Sequence, residues 1–168
     1  VGTTRISDAL GPAPLFAAYE RFGLGPRIPA AARTNDAAMA RFAYGADLAA
    51  TSVEIARGYL VLARGGTTVD GARVVSSETA ATTVAALEAA VARPDATGRR
   101  AAIDGVRVAG KTETMPVEGG GSFGVFVGIV PADAPSYVIL VGVETTTDGD
   151  SGGTLAAPSF ARVARGIL

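Results

Sequence analysis

Residues 106–114 read Val-Arg-Val-Ala-Gly-Lys-Thr-Glu-Thr, and here the chain changes period. Upstream, apolar residues recur at helical spacing. From Val106 on, Val106 and Val108 alternate with Arg107 and Ala109, the two-residue period of a strand. Two further runs rich in β-branched residues follow, 122–130 and 136–144, with Phe123, Phe126 and Tyr137 adding aromatics. The five residues Pro131-Ala-Asp-Ala-Pro135 between them make an antiparallel hairpin the natural connection. Pro158 then opens a last helix, with Phe160, Val163, Ala164 and Ile167 at i, i+3, i+4 and i+7. Helices first, three strands next and a helix last predict an α+β fold, an antiparallel sheet covered by helices.

Working outward, Pro12 with Leu15, Tyr19 and Phe22 predicts a helix over 12–22, stopped by Gly23. Residues 1–10 are short and mixed, and the two prolines of 25–35 mark a loop. A short helix over 36–44 would turn Met39, Phe42 and Ala43 inward. Thr51-x-x-Glu54 is a capping box, and Ile55, Tyr59 and Leu62 continue one helical face as far as Gly65-Gly66. A small hairpin is expected around Asp70-Gly71. Ser76 caps a second long helix, with Val84, Leu87 and Val91 on its buried side and Pro94 as its stop. Tyr19, Phe42, Tyr44 and Tyr59 are expected in the core, and Asp36, Asp47 and Glu54 at caps and first turns. The expected organisation is a single domain over 1–168, mainly helical over 1–104, with strands plus the closing helix over 105–168.

Composition excludes several chemistries. The chain has 168 residues, no Cys, no His and no Trp, and a net charge of −1. Zinc sites of the usual kind, Cys nucleophiles, Ser-His-Asp triads and disulfides are ruled out. The charge makes no electrostatic case for nucleic acid. No metal or cofactor is expected. No apolar run reaches the length of a membrane span.

Of the 15 basic residues, Lys111 alone is lysine. In an arginine-rich chain, that suggests a place where a slim ammonium is wanted and a planar guanidinium would not fit. Strand parity puts Lys111 and Glu113 on one face, and Gly110, Thr112 and Thr114 on the other. A lysine beside hydroxyls suits recognition of a carboxylate or activation of a nucleophile. On spacing alone a plainer reading has the advantage: an ion pair between Lys111 and Glu113 on a solvated edge, worth little. Gly119-Gly-Gly-Ser122 lacks P-loop spacing and reads as a flexible loop. Asp148-Gly-Asp150 resembles half a calcium loop without its bidentate Glu and reads as a polar turn.

Taken in order, the segments resemble the C-terminal part of a class B penicillin-binding protein transpeptidase domain. The resemblance rests on "LFAAYERFGLG" (15–25), "YGADLAATSVEIARGYLVLARGG" (44–66), "RVVSSET" (73–79), "GVRVAGKTET" (105–114), "FVGIVPADAPSYVILVGVE" and the Ala-Ala-Pro-x-Phe opening at 156–160. It implies a β-lactamase/transpeptidase-like fold with a five-stranded sheet, of which this chain would supply the last three strands. It also implies serine acyl transfer on D-Ala-D-Ala stem peptides, acylation by β-lactams, and an extracytoplasmic place in the cell envelope with a role in division or elongation. By this resemblance Lys111 supplies positive charge to the site. Thr112 hydrogen-bonds the substrate carboxylate, and the Thr114 N–H is half of an oxyanion hole; Glu113, between them, would also face the substrate.

Two departures stand out. The family's Ser-x-x-Lys and Ser-x-Asn motifs are absent, and Val1-Gly2 is expected to follow directly on the latter. Glu113 replaces the glycine of Lys-Thr-Gly, where it would crowd the cleft, could neutralise Lys111 and would oppose an anionic substrate. Both imply a chain inactive alone, or a degenerate binding or assembly module of the envelope. An unrelated acyl-transfer or esterase relative is a further alternative. The incomplete sheet implies that the N-terminal part of the same domain, or a second copy, pairs with an open apolar edge near 137–143.

Overall fold

The computed structural model describes residues 2–24, 28, 36–45, 47–146 and 149–168, with only the backbone of 36–38. The loop expected at 25–35, the cap at Asp36 and the turn at Asp148 therefore fall wholly or in part outside the described residues. The chain divides into two compact units, 1–58 and 59–168.

The first unit holds α1 (Gly2–Leu10), α2 (Pro12–Arg21) and α3 (Asp36–Ala43). Helix α1 has no counterpart in the sequence reading. Gly11, at φ 76°, separates it from α2, whose Pro12 begins where its fixed φ suits a helix. Phe16, Ile28 and Phe42 form the small core, with Leu15, Tyr19 and Leu48 against it. The Phe16 and Phe42 rings meet edge-on at 5.4 Å. The Tyr19 hydroxyl donates to the Phe42 carbonyl, and burial raises its pKa. Tyr44, expected in the core, is 56% exposed, because it lies just beyond the end of α3. Asp47 caps no helix; it takes a two-pronged ion pair from Arg41 at 2.6 and 2.7 Å.

Helix α4 (Ser52–Ala63) starts on its capping box as the sequence predicts. The Thr51 N–H donates to Glu54 Oε2 at 2.7 Å, and the Glu54 N–H donates to Thr51 Oγ1 at 3.2 Å. At its far end, the Gly66 N–H closes on the Val61 carbonyl at 2.8 Å.

In the second unit, α5 (Ser77–Ala92) is capped by Ser76 Oγ, which accepts from the Thr79 N–H at 3.0 Å. A bridge between Thr67 and Arg73 forms the small hairpin expected near Asp70-Gly71. Three strands then form an antiparallel sheet in the order β1-β2-β3: β1 (Ala109–Pro116), β2 (Ser122–Val130) and β3 (Tyr137–Thr145). Strand β1 begins later than the alternation at Val106 suggests. Val106 makes only an isolated bridge to Ile103, across the turn at Asp104-Gly105. Strand β1 also runs on through Met115 and Pro116, where the sequence predicts a Gly-rich loop over 115–121, so that loop is confined to 117–121.

The sheet is covered on both faces. On one, Ala109, Ile129 and Ala132 pack with Tyr59, Leu62 and Ala63 of α4 and Val84 and Leu87 of α5. On the other, Phe126 and Val130 meet α6 (Ala156–Ile167) through Ala156, Ala157, Phe160 and Ala164. Two cross-strand glycines, Gly110 and Gly128, make that contact possible. A β-carbon on Gly110 would lie 2.3 Å from the Phe126 ring, and one on Gly128 would lie 2.8 Å from the Phe160 ring. The Phe126 and Phe160 rings sit 4.7 Å apart in the space left free. This wedge fixes the rotation of α6. Its inward line is Ala157, Phe160, Ala161 and Ala164, while Val163 and Ile167, expected inward, are 47% and 43% exposed. Small alanines let the helix approach the sheet closely, and that outweighs the greater hydropathy of the two branched residues. None of the described helices is long and apolar enough to cross a membrane.

Candidate functional site at the free edge of the sheet

The strand order leaves β1 at one edge. In an antiparallel strand, one residue turns both its N–H and its C=O to the partner, and the next turns both away. The Arg107 carbonyl accepts from the Ala132 N–H at 2.8 Å, and the Val117 N–H donates to the Gly121 carbonyl at 3.3 Å. Odd-numbered residues therefore bond inward to β2, and Thr112 and Thr114 present their backbone groups to the open edge.

Two side chains close on that edge. The Lys111 ammonium donates to the Thr112 carbonyl at 2.7 Å. The Thr114 N–H donates to Glu113 Oε1 at 3.1 Å. Lys111 and Glu113 share a face, as parity predicts, yet each is engaged with the backbone of the residue that follows it. The same face carries Tyr59, whose phenol is pushed up to about 12, first by burial and second by the Glu113 carboxylate.

The two threonine hydroxyls point the other way. Thr112 is 7% exposed, and its hydroxyl donates to Thr97 Oγ1 at 2.9 Å. Thr114 Oγ1 accepts from the Gly152 N–H at 3.0 Å. Gly152 lies flat against the sheet: a β-carbon there would be 2.4 Å from the carbonyls of Glu113 and Val125. Its own carbonyl accepts from the N–H groups of Ala156 and Ala157 at the start of α6. The structure thus brings together Lys111, Glu113 and the outward backbone of Thr112 and Thr114, and holds the threonine hydroxyls away from them. Sequence reasoning missed Thr97 and Gly152. The only local signal for the second was the Gly152-Gly153 pair just before α6, which reads as a polar loop. Among the described residues, no group of three acidic, His or Cys side chains could hold a metal ion.

A lysine-bearing edge strand in a three-stranded antiparallel sheet, with α6 on one face and α4 and α5 on the other, invites comparison with known proteins. The family model "Penicillin binding protein transpeptidase domain" matches residues 1–165. The chain belongs to this family. Among curated relatives, the peptidoglycan D,D-transpeptidase FtsI of Escherichia coli K12 is 30% identical, over all of this chain and 34% of its own length. The probable peptidoglycan D,D-transpeptidase PenA of Neisseria flavescens is 28% identical, over all of this chain and 49% of its own. The chain thus spans between a third and a half of these relatives. Among solved structures, the transpeptidase domain of FtsI4 from Legionella pneumophila superposes with a TM-score of 0.86 at 32% identity, covering 98% of this chain and 64% of that one. Penicillin-binding protein 3 of Mycobacterium tuberculosis, complexed with aztreonam, gives 0.85 at 26% identity, covering 99% of this chain and 48% of that one. The α+β architecture is the one these neighbours share.

Proposed function

We propose that this chain contributes the third-motif strand, β1, to a peptidoglycan D,D-transpeptidase site in the cell envelope, and that it is inactive alone. The observation that carries this reading is the single lysine on the open edge of β1 in a chain matched by the transpeptidase family over 1–165. The nucleophilic serine belongs to a Ser-x-x-Lys motif in the preceding part of the same domain. In the reaction, that serine's oxygen attacks the penultimate D-Ala carbonyl, and the terminal D-Ala leaves with the serine proton on its nitrogen. An acceptor amine then attacks the acyl carbonyl, the ester bond to serine breaks, and one amine proton returns to the serine oxygen. Lys111 contributes positive charge, Thr112 binds the terminal carboxylate through its hydroxyl, and the Thr114 N–H faces the developing oxyanion. Glu113 lies beside the bound ligand. For Thr112 this requires its hydroxyl to leave Thr97 when substrate binds.

The experiment is labelling by a fluorescent penicillin. A protein carrying this chain together with the nucleophile-bearing part of its domain is expected to label, this chain by itself to stay unlabelled, and Lys111→Ala to lose labelling by about a hundredfold. The reading fails if the joined protein does not label even with Glu113→Gly.

The edge of β3 is assigned to a pairing strand, from the N-terminal part of the domain or from a second copy. A well-folded, stable monomer of this chain in sedimentation would remove that assignment. A second reading, a non-catalytic binding or assembly module, has one observation in its favour: the Glu113 carboxylate already occupies the Thr114 N–H.

A further inference from the structure

The open edge of β1 holds its own ligands. Lys111 and Glu113 carry opposite charges and stand two residues apart on one face, which parity alone would resolve as an ion pair. Each instead folds over the edge, the ammonium onto the Thr112 carbonyl and the carboxylate onto the Thr114 N–H. The consequence is unequal. A cation on a carbonyl leaves the positive charge in place for an anionic ligand. A carboxylate on an N–H uses up a donor and puts a negative charge where a ligand's negative oxygen would come. The Lys111 ammonium, on the same face, is already engaged with the Thr112 carbonyl, and Tyr59, half-buried and neutral, adds no charge to draw the carboxylate away.

We propose that Glu113 is an internal competitor for the Thr114 N–H, so that an acyl ligand whose carbonyl oxygen turns negative during reaction reaches this donor only by displacing the carboxylate. Glu113 is then a positioning residue that sets which ligands the edge accepts. Acyl groups that bring a second anion close to Thr114 are disfavoured, and those that bring a cationic group to meet the displaced carboxylate are favoured. A glycine at 113 would leave the N–H uncovered. This inference rests on the transpeptidase reading for its ligand, while the capping itself does not.

The test uses the protein that joins this chain to the nucleophile-bearing part of its domain, as parent, Glu113→Gly and Glu113→Gln. The readouts are the rate of acylation by a fluorescent penicillin and the hydrogen exchange of the Thr114 amide. Glu113→Gly should raise the acylation rate by about tenfold or more, less than the 10²–10³ that follows outright loss of an oxyanion donor, because here the donor is masked and not deleted. Glu113→Gln, with a neutral acceptor, should fall between, and it guards against a strand loosened by glycine. The Thr114 amide should exchange faster in both variants. Acylation of the parent that neither variant raises overturns the proposal and leaves the transpeptidase reading standing. If no form is acylated, the transpeptidase reading fails; the capping then stands on faster Thr114 exchange in the variants, or is overturned by unchanged exchange.

Discussion

The two edges of the sheet are built in opposite ways. At β1, charged side chains turn over the rim and engage the backbone groups that face outward. At β3, Tyr137 to Val143 carry no charge, and Val138, Ile139, Leu140, Val141 and Val143 are half-buried, with Glu144 the first ionised residue. Natural sheets guard a free edge with charge, proline or a bulge. Strand β1 has such a guard and β3 does not. The contrast fits the proposed roles of the two edges: β1 has the composition of an edge that stays free, whereas β3 has that of a strand with a neighbour on each side.

Proline substitutions distinguish the two faces of the β3 backbone most directly. The register sets Val141 opposite Phe126 and Leu140 opposite Val127. Lys111 opposes Val127 and bonds inward, so Val127 turns to β1, Phe126 turns to β3, and Val141 bonds back to it. Leu140 therefore faces outward. Val141→Pro removes a ladder bond and should cost about 3 kcal/mol in urea unfolding. Leu140→Pro keeps the ladder and should cost under about 1 kcal/mol, yet abolish pairing at this edge, read as loss of association in sedimentation. Equal costs, or association that survives Leu140→Pro, would show that β3 is as self-sufficient as β1.

At β1 the charge on the guarding carboxylate can be read through pH. Tyr59 ionises near 10 in an unfolded chain and near 12 here, through burial first and the Glu113 carboxylate second. Between those values the unfolded chain has released a proton that the folded chain keeps. The stability is complete below pH 10 and falls as pH rises through the window, by about 2–3 kcal/mol in all. Tyr59→Phe keeps the ring against Ala109 and Ile129 and should flatten this part of the profile. Glu113→Gln should lower the upper end of the window and reduce the fall only in part, because burial is the larger cause. A profile unchanged by Glu113→Gln would place the carboxylate away from the face where it meets Tyr59.

Much of this frame was legible in the residues, and the exceptions share a cause. Capping by Thr51 with Glu54 and by Ser76, the hairpin at 131–135 and the face shared by Lys111 and Glu113 are local patterns that the structure keeps. The rotation of α6 cannot be read from its own residues, because Phe126, which sets it, lies far upstream. Helix α1 escaped because its composition is mixed. At the site, parity sorts side chains between faces and is silent about edges. It could place Glu113 beside Lys111 and could not foresee that each would prefer a backbone group.

The smallest effect concerns the contact that no local pattern announces, Thr112 with Thr97, fifteen residues apart. The pair is asymmetric: the Thr112 hydroxyl is enclosed and that of Thr97 lies on an exposed residue. Thr112→Val removes the enclosed group and leaves Thr97 to water, a loss of about 1 kcal/mol or less. Thr97→Val leaves the Thr112 hydroxyl enclosed without its acceptor and should cost about 1–2 kcal/mol. Acylation should reverse the ranking. If Thr112 leaves Thr97 to bind a ligand carboxylate, Thr112→Val slows labelling, while Thr97→Val, which unhitches the hydroxyl in advance, leaves it unchanged or quickens it. Equal slowing by both would make this contact a strut behind β1, and the edge backbone with Lys111 would then carry recognition without the threonine hydroxyl.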